Sequence, residues 1–501
     1  MDAEIPLKTY CNAGGETLPH CANQEKFEKQ VFQTGFLRRQ AGARIHVLLK
    51  GKVISMNILG LDIGTTSICA VVLDETGGAL LHSQTLPNDT AQPGADYERL
   101  QNPAAILQKC EGLLADLTAR FAPISCIGIS GQMHGMLYLD AEGHALSPLY
   151  TWQDESANEP NADGETYAQT LTRRSGYAMA TGFGAATYFT HKERGTVPEN
   201  AVTFCTIHDY TAMRLCRKTR PLMHVSNAAS FGLFRNTGLC FDDKVIEECA
   251  LALDFFPETT ADFTLMGAYN GIPLAVAIGD NQASFLGSVR DMRHSLLVNV
   301  GTGSQISFAT NQLTAHAGTE LRPLVNGQFL RVGSALCGGR AFAALEDFLR
   351  RTAELVSGAP CESAYPAIDQ YLAESARPRN ALRVDTTFSG SRADPQRRGG
   401  VENLGLDNFT PQHLIWGVLQ GIVSELALMY PAGESHSVLV GSGNGLRKND
   451  ALRRLFSAQF GKTLQLPAHT EEAAVGAALF AMTAAGRAES IEAAQALISY
   501  I

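Results

Sequence analysis

Three glycine-bearing turns and one carboxylate after an apolar run hold the residue types that could handle a phosphorylated ligand. In Asp62-Ile63-Gly64-Thr65-Thr66, a glycine between two apolar runs lets backbone amides approach an anion, and the hydroxyls of Thr65 and Thr66 add donors. An acidic residue beside such a turn would repel phosphate unless a cation lay between them. Asp62 is therefore expected to face Mg2+, chiefly through water, in a Mg2+–nucleotide site. For this segment alone, a polar hairpin turn is the competing reading. Gly301-Thr302-Gly303-Ser304 repeats the pattern, and the two turns together would clamp a polyphosphate. A third segment, Gly441-Ser442-Gly443-Asn444-Gly445, stands between a strand and a helix pattern. It suits a nucleotide set against a helix N-terminus, although a plain helix-start loop reads the same way. It is not the dinucleotide fingerprint. No Walker A loop occurs either, because Phe456 stands where the first glycine before Gly461-Lys462-Thr463 belongs.

Phosphoryl transfer to a hydroxyl needs a carboxylate that takes the acceptor's proton and orients its oxygen. Asp280 directly follows the apolar run Ala275–Gly279, a place where a helix N-cap is the plainer role. Asn281 and Gln282 would add neutral contacts of the kind a polyol needs. So would Gly131-Gln132-Met133-His134-Gly135 and Thr151-Trp152-Gln153-Asp154. Trp152 and Met133 offer an apolar face to C–H groups of a carbohydrate, while Gln132, His134 and Asp154 offer partners to its hydroxyls. A buried tryptophan with hydrogen-bonded polar neighbours would look no different in sequence.

These residues need elements to hold them. Asn57–Asp74 and Ser295–Thr310 each read as strand, tight turn, strand, which points to an internal duplication with each copy opening one domain. Ile124–Ser130 and Ala275–Gly279 read as buried strands, and Ala104–Phe121 as a helix. Beyond the second turn, Phe342–Leu355, Pro411–Tyr430, Asn449–Phe460 and Glu471–Ala484 are helical by periodicity or propensity, with a short strand at Ser437–Val440. Alternation of strands and helices in both halves implies an α/β protein, and 501 residues are too many for one ordinary core. A boundary at Arg290–His294 divides the chain into domains 56–294 and 295–501. Residues 1–55 carry no sustained apolar stripe and no secretory h-region. The globular protein is expected to begin at Met56, preceded by a disordered tail or by residues upstream of the native start. A net charge of −10 argues against a nucleic-acid partner, and no apolar run is long enough to span a bilayer. Eleven unpatterned cysteines suit reduced thiols in the cytoplasm.

In this order, from Met56 to the C-terminus, the segments resemble those of the FGGY carbohydrate kinases, members of the actin–hexokinase–heat-shock ATPase superfamily. DIGTT is similar to the family's first phosphate motif, VGTGSQ to its second and VGSGNGLRKN to its adenosine motif. Leu336-Cys337-Gly338-Gly339 resembles the glycine pair that opens a helix near the nucleotide, and Glu472–Ala478 resembles the C-terminal helix. The resemblance implies a duplicated ribonuclease H-like (actin-like ATPase) fold, with two domains around a central cleft, and ATP with Mg2+ as cofactors. It also implies Asp280 as the catalytic base and the Met133–His134 pair against the sugar. Around ATP it sets Gly64, Thr65, Thr66, Gly301, Thr302, Gly303, Gly338, Gly339, Gly441, Gly443 and Asn449. A homodimer is compatible with it. Thr151–Asp154, Ala180–Phe189, Thr206–Tyr210 and Arg220–Gly232 are most similar to the branch that phosphorylates sedoheptulose. D-xylulose or another ketose is the second expectation, and an actin-like ATPase without small-molecule kinase activity is the alternative of another class. Two departures stand out: Ser156 occupies a position where many relatives carry Arg, and Gly279–Gln282 (GDNQ) falls between the family's variants.

Overall fold

Apolar runs on either side of a glycine turn form the middle of each of two sheets. Strands β1 (Asn57–Ile63) and β2 (Ser67–Asp74) are buried almost throughout, as strands covered on both faces must be. Strand β3 (Leu80–Pro87) alternates exposed and half-buried residues and forms an edge. The fourth strand, β4 (Ile124–Gly131), lies parallel to β1. Beyond it come β5 (Leu265–Tyr269) and β6 (Ile272–Ala275), with the short β7 (Ile278–Gly279) continuing beside β4. The expected single strand Ala275–Gly279 is thus two pieces. The break falls at Val276, whose N–H donates to the Thr264 carbonyl rather than into the β4 ladder. The computed structural model describes residues 35–37, 47–49, 52–391, 394 and 396–501. In the extension, the described pieces Gly35–Leu37, Val47–Leu49 and Lys52–Ile54 pair as short antiparallel strands. The expectation of a disordered or non-native tail otherwise lies outside the described residues.

The second sheet repeats the first. Strands β8 (Ser295–Val300) and β9 (Ser304–Thr310) form the hairpin, β10 (Thr319–Pro323) and β11 (Phe329–Ala335) extend it antiparallel, and β12 (Val438–Ser442) and β13 (Leu464–Gln465) follow in parallel. The orders are β5-β6-β4-β1-β2-β3 and β10-β11-β9-β8-β12-β13. In both sheets the opening strand has its hairpin partner on one side and a parallel strand on the other, the arrangement a duplication would leave.

Helices cover the sheets. The expected helices are present as α1 (Pro103–Arg120), α3 (Gly339–Ser357), α4 (Pro411–Leu428), α5 (Asp450–Phe460) and α6 (Glu472–Ala484), with α2 (Asp280–Ser288) between the halves. Asn102 and Thr410 cap α1 and α4 with side-chain oxygens, and a proline follows each cap, where its missing N–H costs nothing. Helix α6, near the end of the chain, packs on the first sheet rather than the second. Small residues make that contact. A Cβ on Gly60 would lie 1.9 Å from the Ala474 carbonyl oxygen, and one on Gly128 would lie 1.8 Å from that of Ala477. Helices α2 and α6 approach equally closely through Gly287 and Gly476. Residues of α6 accordingly join the core of the first sheet, while a separate core gathers β8, β9, α4 and α5. Among the described residues no helix is long and apolar enough to cross a membrane.

Candidate active site

The carboxyl ends of parallel strands are where ligands meet open α/β sheets, and in both sheets the candidate residues lie there. Register pairs Asp62 with Ser130 and Ile63 with Gly131 across β1 and β4, and Gly279 with Gly131 across β7 and β4. The chain therefore releases Asp62, the Gln132–His134 segment and Asp280 side by side. In the second sheet Asn299 pairs with Ser442 across β8 and β12, which sets the Gly301–Ser304 and Gly443 turns next to each other. A cavity of about 570 Å3 is lined from both sheets, by Asp62, Met133, His134, Trp152, Asp280 and Asn281 on one side and by Asn299, Gly301, Thr302, Gly303, Ser304 and Gln305 on the other.

Each wall is built locally. Ser130 Oγ donates to Asp62 Oδ1 at 2.8 Å. Burial pushes the Asp62 carboxyl up to about 6, and that hydrogen bond opposes the shift. Burial likewise pushes Asp280 up to about 7, with the Asp62 charge adding to the rise and the Arg322 guanidinium pulling it back. His134 has a left-handed backbone (φ 71°), a conformation that non-glycine residues hold only where surroundings enforce it. Its backbone N–H donates to Ser230 Oγ at 3.0 Å, and its Nδ1 lies 2.8 Å from the Ser230 carbonyl, so the neutral ring carries its proton on Nδ1. The ring stacks on Phe183 with centroids 4.7 Å apart. Trp152 Nε1 donates to Thr65 Oγ1 at 2.9 Å, and the indole is 48% exposed, presenting an apolar surface to the cavity.

The second phosphate-type turn is held by the start of α3. The N–H groups of Gly338 and Arg340 donate to the Thr302 carbonyl at 3.1 and 3.0 Å, and that of Gly339 to the Gly301 carbonyl at 2.7 Å. A Cβ on Gly338 would lie 2.3 Å from the Gly303 oxygen, so the close approach requires glycine. Gly443 (φ 84°) sits against Val300 in the same way. A second cavity, of about 1150 Å3, shares Met133, His134, Trp152 and Arg322 with the first and continues over Tyr177, Phe183 and Asn236.

The signature of the FGGY family of carbohydrate kinases, N-terminal domain, matches residues 57–287, and that of its C-terminal domain matches residues 296–485. The chain belongs to the FGGY family of carbohydrate kinases. Over 468 residues it is 27% identical to the sedoheptulokinase of Homo sapiens, covering 84% of this chain and 96% of that protein. The structure is similar to that of gluconate kinase from Lactobacillus acidophilus, with a TM-score of 0.76 at 18% identity over 89% of this chain and 93% of that chain. It is also similar to Plasmodium falciparum glycerol kinase with ADP, with a TM-score of 0.70 at 17% identity over 88% and 92%. These likenesses show the expected actin-like ATPase fold. The protein is an ATP-dependent sugar kinase of the FGGY family.

Not every residue expected at the FGGY kinase site lines the cavity. Gln132 is buried and bonded to Gln101 and Thr65, so it braces the turn from behind. Thr65 in turn holds Trp152, while Gly64 and Thr66 complete the turn without lining the cavity. Asp154 is fully buried and accepts from the Arg99 amide at 3.2 Å and from the Ser156 amide and hydroxyl, which takes its carboxylate away from any sugar. Ser156, the departure from the family pattern, thus serves that inner turn. Gly441 is a packing glycine among Leu446, Leu464 and Leu466, and Asn449 caps α5 by accepting from the Leu452 N–H at 2.9 Å. Sequence reasoning missed Arg322, Ser284 and Ser334 on the cavity wall. Ser284 was within reach as the residue one helical turn beyond Asp280, but no motif marks Arg322 or Ser334.

Proposed function

We propose that the chain transfers the γ-phosphoryl group of ATP to a hydroxyl of sedoheptulose, giving sedoheptulose 7-phosphate. The observation that carries this reading is the large cavity opening from Trp152, Met133 and His134 beside Asp280. It has room for a long open-chain polyol, and the near full-length similarity to a sedoheptulokinase supports the same choice. Asp280 accepts the proton of the attacking hydroxyl and aligns its oxygen. The indole of Trp152 and the thioether of Met133 cover C–H faces, and His134 and Asn281 meet hydroxyls. The amides of the glycine turns face the phosphates.

The site also suits Mg2+. Two half-buried carboxylates, Asp62 and Asp280, face a cavity where the Asp62 charge raises Asp280's cost of ionisation and Arg322 is the one guanidinium among the described lining residues. No group of three or more His, Cys, Asp and Glu residues that could hold a metal occurs among the described residues. An ion at Asp62 would therefore be held largely by water and phosphate, as Mg2+ prefers, and would offset phosphate charge. The same reading places the enzyme in the cytoplasm, with a homodimer as one compatible assembly.

The Met133–His134 pair also lines the smaller cavity and keeps D-xylulose as the second reading. A coupled ATP-turnover screen over four- to seven-carbon ketoses and polyols separates the two. Sedoheptulose should exceed D-xylulose in kcat/KM by about tenfold or more, the scale that extra pocket contacts supply. Equal or reversed preference would replace sedoheptulose by the shorter ketose.

A further inference from the structure

Strand β10 is the edge of the second sheet, paired only with β11, yet it also takes hydrogen bonds from the first half of the chain. Gln282 Nε2 donates to the Pro323 carbonyl at 3.1 Å and to the Ser226 carbonyl at 2.8 Å. Asn236 Nδ2 donates to the Leu321 carbonyl at 3.4 Å. The residue between these two held carbonyls is Arg322. It lies where the two cavities meet and lines both. Its side chain is only 13% exposed, and its Nη2 donates to Glu320 Oε2 at 2.9 Å. No other side chain or carbonyl among the described residues accepts from it, which leaves most of its N–H donors for a ligand.

We propose that Arg322 is an acceptor-binding residue, donating to hydroxyl oxygens of the ketose beside Asp280 so that the sugar is gripped from both halves of the chain. The proposal rests on the ketose reading above. The larger cavity that Arg322 lines contains none of the glycine turns, and its other walls include Trp152, His134, Tyr177 and Phe183. Arg322 thus reaches beyond the glycine turns of the first cavity to the sugar side. A planar guanidinium can meet two neighbouring oxygens at once, which an ammonium cannot. Gln282, two residues after Asp280, acts as a positioning residue by tying the helix that begins at Asp280 to the strand that carries Arg322.

Steady-state kinetics of the full chain and of Arg322→Ala, Arg322→Lys and Gln282→Ala test this. Loss of a charge-assisted hydrogen bond should raise the ketose KM of Arg322→Ala by about 10–100-fold, while the ATP KM moves by less than about threefold. Arg322→Lys should recover only part of the loss, and it carries the test if the alanine variant does not fold. In a double-mutant cycle the Gln282→Ala and Arg322→Ala losses should fall short of additive. Unchanged ketose KM, or a rise in ATP KM instead, overturns the role of Arg322, and additive losses overturn the positioning role of Gln282. A wild-type chain that turns over no ketose brings down the ketose reading itself, whereas an active wild type with an unaffected Arg322→Ala variant removes only this proposal.

Discussion

The two halves place the same hydrogen bond at the same point and give it opposite polarity. In the first sheet Asp62, two residues before Gly64, accepts from Ser130 at 2.8 Å across β1 and β4. In the second, Asn299, two residues before Gly301, donates to Ser442 at 2.7 Å across β8 and β12. Both serines precede a glycine, Gly131 or Gly443, at the mouth of the site, and both Asp62 and Asn299 line the cavity. The backbone was copied while the charge was not. A carboxylate beside one turn suits a cation, and a neutral amide beside the other leaves phosphate unopposed. The asymmetry extends to the short strand beside each parallel neighbour, β7 beside β4 and β13 beside β12. Strand β7 leads into Asp280, whereas β13 leads into Leu466 and Pro467, which carry no carboxylate.

Removing the feature with no counterpart should have the largest effect. Asp280→Asn keeps the shape and removes the proposed proton acceptor, so kcat should fall by about 10²–10⁴, with calorimetric affinity for a non-hydrolysable ATP analogue little changed. Near-normal turnover would reduce Asp280 to a helix-start residue. Exchanging the paired residues comes next. Asp62→Asn, which makes the first half resemble the second, should raise the Mg2+ concentration for half-maximal rate by ~10–100-fold. Asn299→Asp should instead raise the ATP KM by roughly tenfold through like-charge repulsion, with the Mg2+ requirement unaltered. If both variants gave the same phenotype, the division of labour between the halves would be wrong.

The glycines after the serines differ in how tightly the two halves hold them. A Cβ on Gly443, whose φ is 84°, would lie 2.6 Å from the Val300 carbonyl oxygen, and one on Gly131 would lie 3.0 Å from that of Ile63. Urea unfolding should show Gly443→Ala to be less stable than the native chain by about 1–3 kcal/mol, and Gly131→Ala to lose less. The reverse order would show that the first turn is the tighter one.

The smallest expected effect comes from a feature beneath Gly131, where His208 lies 3.0 Å from the position of an added Cβ and belongs to a buried polar group with Thr206, Asp209 and Asn227. Burial pushes Asp209 up to about 8. The folded chain therefore keeps a proton that the unfolded chain releases near 3.8. The stability tied to it is complete below that value and is lost as pH rises through about 8. Asp209→Asn removes this titration, so its melting temperature should gain on that of the native chain by a few degrees between pH 5 and pH 8. A constant difference would mean that Asp209 is already ionised in the folded chain at pH 5.

The local units are legible from the amino-acid order alone. Apolar runs flanking Gly64 and Gly301 specify hairpins because strand burial and turn geometry are decided within a few residues, and Asp280 was legible because a carboxylate ending an apolar run has few places to go. Helix extents were legible for the same reason, from Pro103–Arg120 to Glu472–Ala484. Contacts between distant segments were not. Asp154 and Asn449 look like ligand contacts in isolation, and only the folded chain shows their oxygens already bonded to Ser156 and Leu452. The alanine-rich segment near the end of the chain announces a helix but not its partner. Its seat against Gly60 and Gly128 depends on backbones meeting where no side chain intervenes. Arg322 carries no local signal at all. Its place beside Asp280 follows from an edge strand drawn in by Gln282 and Asn236, hydrogen bonds whose partners are far apart in sequence and meet only once both sheets have formed.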